Sequence, residues 1–377
     1  GLPLVCVSCH NGVGHLEAVN SSLVSRTRYD FWKNAAFFAQ VGATRVQDQS
    51  TSNVEYTITD SNVGGYQLNT TSGNKTPRQP AAGQPSTVDP AFFLSGETSK
   101  TGEPRRQAYA RILTSSPQFA RATVNYVWKE LFGIGIVEPA DSFDLLRQDP
   151  ATLRPGAQLQ PTHPQLLTKL ADDFVAHNYD LRALVKVIVQ SSAYQLSDQY
   201  TPGNWSETLT TEYARHYPRR LLAESVLDAI TRATNVPASI NINGLGSLTP
   251  AMAIPDPTEP GARSTYGQIL SAFGRGDRDT TPRSRDGSIV QALHMLNDTV
   301  VTSRIKASDP NTTVGRVLAS TKDPGTIADE LYLATLSRHP SPAERTAAIV
   351  YLTSGALAQK TEDLQFALLN RLEFLFN

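Results

Sequence analysis

Apolar positions recur at helical spacing over most of the chain's second two thirds. Phe119, Val124, Val127, Trp128 and Leu131 follow Ser116-Pro117 and stop at Gly133, which predicts a helix with proline in its first turn. Thr162-His163-Pro164 opens another, carrying Leu166, Leu167, Leu170 and Phe174, with His163 expected to cap it. Asp180 caps a third with Leu181, Leu184, Val185 and Ile188, and Pro218 starts a fourth with Leu221, Leu222, Val226, Leu227 and Ile230. Arg106–Leu113, Ser288–Leu296, Val300–Ile305, Ile327–Leu336, Ala343–Thr353 and Leu364–Phe376 read as further helices. Nearer the start, the aromatic and alanine-rich run Phe31–Phe38 predicts a buried helix reaching Val41. Val54, Tyr56 and Ile58 then alternate with polar residues. Asn62-Val63-Gly64-Gly65 turns the chain into Tyr66-Gln67-Leu68, which predicts a hairpin. Residues 71–104 and 235–285, rich in proline, glycine and hydroxyl side chains, read as irregular.

The fold class expected is therefore mainly α, with a small β-hairpin element near the N-terminus and long irregular loops. Two domains are expected: residues 1–100, the C-terminal part of a first domain, and 101–377, a mainly helical second domain with an irregular insertion at 235–285. At 377 residues, 40% apolar and 18% charged, the chain has ample material for a core. A formal net charge of −1 excludes the basic footprint of a nucleic-acid binder. No apolar run reaches the roughly 18–20 residues of a membrane span. The opening Gly-Leu-Pro-Leu-Val, without methionine, reads as a processed or truncated start.

Chemistry concentrates in one pentapeptide. Both cysteines of the chain lie in Cys6-Val7-Ser8-Cys9-His10. In Cys-x-x-Cys-His, two thiols add across haem vinyl groups and the adjacent histidine binds iron from one face. The motif thus predicts one covalent haem c on Cys6 and Cys9, with His10 as proximal iron ligand, on the first domain. Two other readings stay open. A structural zinc site needs a fourth ligand, and a thioredoxin-like pair needs a βαβ unit that the pattern does not provide. For the distal iron position, His15 and His294 are the candidates, with Met295 beside His294. His163, His177, His216, His339 and Met252 complete the inventory. His15 is five residues past His10, a span of at most about 18 Å, which favours the haem rim over the distal position. A five-coordinate iron is also open.

Two other groupings are candidates. Asp141 and Asp144 suggest acid–base work or a cation site, against solvated loop carboxylates. Arg275, Arg278, Arg283 and Arg285 suggest a clasp for propionates or an anionic partner, against exposed loop charges offset by Asp277, Asp279 and Asp286. No hydrolase elbow, zinc-protease helix or phosphate loop is present.

Ala120-Arg121-Ala122-Thr123-Val124-Asn125-Tyr126-Val127-Trp128-Lys129-Glu130-Leu131-Phe132-Gly133 resembles a segment of planctomycete-type surface proteins with a cytochrome c signature. These are built from paired domains of unknown function, types fifteen-forty-nine and fifteen-fifty-three. Thr162–Leu167, Tyr179–Leu184, Ser191–Ser197, Arg219-Arg220-Leu221, Gln291-Ala292-Leu293, Ala367–Asn370 and Glu373–Asn377 match in order. After the motif, Asn11-Gly12-Val13-Gly14-His15-Leu16-Glu17 is similar to a subgroup with Gly-His-Leu-Glu in that place. The resemblance implies an exported bacterial protein, periplasmic or on the cell surface, that is frequently cytochrome-linked. It names no substrate. Three functions are expected from these readings: electron transfer through one haem within a larger assembly with a redox partner, a structural or adaptor subunit without redox role, or an extracellular enzyme.

Overall fold

The computed structural model describes residues 1–47, 54–71, 77–201, 203–242, 245–256, 258–277 and 281–376. The chain divides into two compact units, Gly1–Tyr217 and Pro218–Asn377.

In the first unit, a 3-10 turn over Leu4–Ser8 precedes helix α1 (Arg28–Ala35). Thr27 and Asp30 close a capping box at the start of α1, three residues before the aromatic run begins. The helix ends at Ala35, passes through a 3-10 turn (Ala36–Phe38), and gives way to strand β1 (Val41–Gln47), so the expected helix does not reach Val41. β1 pairs antiparallel with β2 (Val54–Asp60), Val41 facing Asp60. The alternation at Tyr56 and Ile58 did mark a strand, but its partner lies before it. Tyr66–Gln67 (β3) pairs instead with Thr87–Val88 (β4), so the expected hairpin through Gly64-Gly65 is replaced by two separate pairs.

The helical part holds α2 (Arg105–Ser115), α3 (Pro117–Phe132), α4 (Pro164–Ala176) and α5 (Leu181–Val189). α3 buries Ala120, Val124, Trp128 and Phe132, every fourth residue, against Leu167, Phe174, Leu184 and Ile188. Trp128 stacks on Phe132 with ring centres 4.1 Å apart. Buried Asn125 pairs with the backbone of Val137 in both directions, at 2.9 and 2.8 Å. Asp180 caps α5 as expected, accepting from the backbone of Arg182 and Ala183. His163 makes no capping hydrogen bond. Its ring lies against Tyr213, and its Nε2 is 3.5 Å from Glu212.

The second unit starts its first helix five residues later than expected, with α6 (Ala223–Thr234). Val226, Leu227 and Ile230 of α6 form the centre of its core. The expected irregular stretch contains a short hairpin, β5 (Ile240–Ile242) with β6 (Gly246–Leu248), and α7 (Thr265–Ala272). Then come α8 (Ile289–Asn297), α9 (Thr299–Thr302), α10 (Thr313–Ser320), α11 (Pro324–Leu336), α12 (Pro342–Leu352), α13 (Leu357–Leu369) and α14 (Leu372–Leu375). The molecule is mainly α with three small antiparallel pairs among the described residues. No described helix is long and apolar enough to cross a membrane.

Candidate functional site

The Cys-x-x-Cys-His segment is built on a small apolar nucleus. Val7 is fully buried with Leu16 and Leu23, and Leu4, Cys6, Val24 and Phe31 pack around them. The residues after His10 follow from that packing. Gly12 lies so close to the 23–24 backbone that a Cβ there would sit 2.1 Å from the Leu23 carbonyl oxygen. Its N–H donates to the Arg26 carbonyl at 2.8 Å. Gly14 has φ of 83°, a left-handed conformation that glycine adopts without penalty. Its N–H donates to the Glu17 carboxylate, and that bond holds the Glu17 carboxyl below the ordinary range. Leu16 plugs the nucleus. Each position of the Gly-His-Leu-Glu sequel except His15 thus has a local structural reason.

The three motif side chains lie at the surface of this nucleus. Cys6 is half-buried, Cys9 is exposed, and neither is in a disulfide. The Ser8 hydroxyl is 3.5 Å from the Cys9 sulfur. His10 Nδ1 donates to the Asn11 carbonyl at 2.8 Å, which leaves Nε2 as the ring's lone-pair nitrogen. Arg28 braces the segment from α1. Its backbone N–H donates to Asn11 Oδ1 at 3.0 Å, and its Nε donates to the Ser8 carbonyl at 3.3 Å.

These residues fit a covalent haem in chemistry: two thiols outside any disulfide and an imidazole whose Nδ1 is occupied by a carbonyl, the usual arrangement behind a metal-binding Nε2. Among the described residues no three His, Cys, Asp or Glu side chains gather as a metal site.

His15 lies against His10, ring centres 4.1 Å apart at an interplanar angle of 38°. Two imidazoles flanking one iron would have ring centres about 6 Å apart, since metal–imidazole bonds are about 2 Å. In this arrangement His15 is a neighbour of the His10 ring and not placed across a metal from it. His294 lies in the second unit on α8, with Nδ1 2.8 Å from Asp298 Oδ2. Met295, next to it, is buried in that unit's core.

Asp144 is neither a solvated carboxylate nor the partner of Asp141. It is 2% exposed. It accepts from Ser21 N–H at 2.8 Å, Ser21 hydroxyl at 2.7 Å, Ser22 N–H at 3.0 Å and Leu146 N–H at 3.1 Å. Burial pushes its carboxyl up, but these donors outweigh it and the net position is below the ordinary range. With every lone-pair direction used, it is a tether between the segment after the motif and the helical core.

The arginine cluster is equally committed. Arg275 is 4% exposed and donates to the Glu259 and Pro260 carbonyls, and burial lowers its pKa. Arg283 grips Glu224 through both guanidinium nitrogens at 2.9 and 3.1 Å. Arg275 is thus not the exposed loop charge expected, whereas Arg283 is exposed, as expected, but paired with Glu224. Arg278 and Asp279 lie outside the described residues. The residue that sequence reasoning missed here is Arg220. It is buried and donates to the carbonyls of Phe273, Ser284 and Arg285 at 2.7–3.0 Å.

A cleft of about 860 Å³ borders the motif in the first unit, with Asn11, Arg28, Tyr29 and Lys33 among its walls.

A family model described as PSD1, protein of unknown function (DUF1553), matches residues 105–352. No curated protein and no solved structure matches the chain.

Proposed function

The chain belongs to the PSD1 family of proteins of unknown function (DUF1553), and for this member we propose one-electron transfer through a single covalent haem c. The observation that carries the proposal is the motif's local geometry. His10 is held by the Asn11 carbonyl with Nε2 available, directly after two cysteines outside any disulfide. Cys6 and Cys9 would hold the group. Each S–H adds across one vinyl double bond, forming an S–C bond and leaving the proton on the other vinyl carbon, so nothing else is consumed. A bound haem supplies a ferric–ferrous couple. Asn11 fixes the His10 ring and Arg28 fixes Asn11.

One haem in 377 residues makes a poor wire, so the protein is proposed to act as a subunit beside a redox partner. The proposal extends to export, to the periplasm or cell surface, since covalent haem attachment and the matching motif sequel both belong there. It also extends to membership of the Cys-x-x-Cys-His subgroup and to pairing with the companion domain, type fifteen-forty-nine. A spectroelectrochemical titration of protein purified from its own source tests this. One reversible one-electron wave with a narrow visible band in the reduced form is expected. A protein without visible absorption, or with absorption that does not follow the applied potential, overturns it.

A second reading, a structural subunit without redox role, is favoured by α8. Ile289, Val290, Leu293 and Leu296 form one exposed apolar face, with Ile289 81% exposed. An apolar face of this kind marks a contact surface more often than free solvent.

A further inference from the structure

The cleft beside the motif carries two cations that have no carboxylate partner among the described residues. Arg28 spends its guanidinium on the carbonyls of Ser8 and Pro77, at 3.3 and 2.6 Å, and on the face of Trp32, 4.7 Å from the ring centre. Lys33, five residues on along α1, is exposed and engages no acidic side chain. Among the other lining residues, the side-chain amides of Gln79 and Gln84 make no hydrogen bond to described residues. The hydroxyl of Tyr29, another wall residue, is withdrawn from solvent with no hydrogen-bond partner. The one acidic wall residue, Asp89, is almost fully exposed and lies 3.8 Å from Arg105. Arg283 has the Glu224 carboxylate, and Arg220 spends its guanidinium on backbone carbonyls of its own unit. Arg28 and Lys33 are placed differently, on a wall large enough for a ring-sized molecule.

We propose that this cleft is a carboxylate-binding site, with Arg28 and Lys33 holding the charge and Tyr29, Gln79 and Gln84 supplying neutral hydrogen bonds. A guanidinium suits a carboxylate because its planar fork matches two oxygens, and the resulting bonds are charge-assisted. The carboxylate has two possible sources. One is the pair of propionates of a haem tethered at Cys6 and Cys9, which leave the macrocycle on the edge away from the thioethers. This source rests on the haem reading. The link is physical: the same Arg28 that lines the cleft donates to the Ser8 carbonyl inside the motif and holds Asn11 behind His10. The other source is a free carboxylated molecule, which does not depend on haem.

The test uses the full chain with Cys6→Ala and Cys9→Ala, so that no porphyrin is attached. Protoporphyrin IX and its dimethyl ester are titrated in by porphyrin fluorescence, and citrate by calorimetry. Arg28→Gln and Lys33→Gln are made separately in that background. Lys33→Gln changes only an exposed side chain, so it remains informative if Arg28→Gln fails to fold. If propionates are the source, the acid form binds and the ester binds at least about tenfold more weakly, and each substitution removes about tenfold from the acid form only. If citrate binds with the same dependence on Arg28 and Lys33 and the porphyrin does not, the carboxylate site stands with a free ligand. Acid and ester binding equally, substitutions without effect, or no binding of either probe overturns the proposal. A native protein that carries no haem sinks the haem reading alone, since the cysteine-free protein is measured independently of it.

Discussion

Replacing Asp144 with alanine tests whether the motif segment is held to the helical core by one buried carboxylate. The side chain accepts from four donors, at 2.7–3.1 Å, and is 2% exposed. Breaking a buried charged network by removing one partner costs about 3–5 kcal/mol. Ser21 and Ser22 are half-buried and regain some water on opening, which places the expected loss at the low end, about 3 kcal/mol. For a unit of this size that is a fall in Tm of about 6–12 °C. All three tryptophans, Trp32, Trp128 and Trp205, lie in Gly1–Tyr217, so tryptophan fluorescence during urea unfolding of the whole chain reports on the unit concerned. The pH dependence has a definite sign. The folded carboxyl lies below its ordinary value, so its contribution is present above the unfolded value of about 3.9 and is lost as pH falls through the folded one. The gap between the native protein and Asp144→Ala should therefore be widest near neutrality and close below about pH 4. A variant within about 0.5 kcal/mol of the native protein, or a gap that widens in acid, would refute the reasoning.

Three further outcomes follow from the same geometry. Gly12→Ala should destabilise the first unit by about 1–3 kcal/mol, because its Cβ would meet the Leu23 and Val24 carbonyl oxygens at 2.1 and 2.6 Å; an unchanged urea midpoint would contradict the close approach. Arg220→Met should cost the second unit about 3 kcal/mol by leaving the Phe273, Ser284 and Arg285 carbonyls without donors, read in calorimetry as a lowered transition that leaves tryptophan unfolding in place. Leu293→Asp on the exposed face of α8 should leave stability within about 0.5 kcal/mol and weaken any association seen by light scattering or co-purification; unaltered association would remove α8 as the contact surface.

What could be read from the sequence was local. α3 and α5 follow from Pro117, Gly133 and the Asp180 cap, all features of residues near each other in the chain. Strand pairing did not follow. The alternation at Tyr56 and Ile58 marks a strand but contains no information about which neighbour it takes, and it took Val41–Gln47, a segment that continues an aromatic helix pattern. α1 began at Arg28 because the Thr27/Asp30 capping box overrides where the apolar run starts. The motif itself was legible as a pentapeptide, and Gly12, Gly14 and Glu17 turned out to be its scaffold. Asp144 and Arg220 were not legible as buried anchors. Most of their partners are backbone groups far away in sequence, and backbone groups leave no signature in side-chain spacing. Arg275 read as exposed charge, and Arg283 as offset by nearby aspartates, because the Glu259 and Pro260 carbonyls and Glu224 meet them only in the fold.

The most direct test of covalent haem on Cys6 and Cys9 is a pyridine haemochrome spectrum of the native protein after acid–acetone extraction, beside a Cys9→Ser variant. The account predicts a c-type spectrum that stays with the native polypeptide at one haem per chain, and loss of the doubly attached form in the variant. A native polypeptide left colourless by extraction, or a Cys9→Ser protein that still holds its haem by two thioethers, would contradict it.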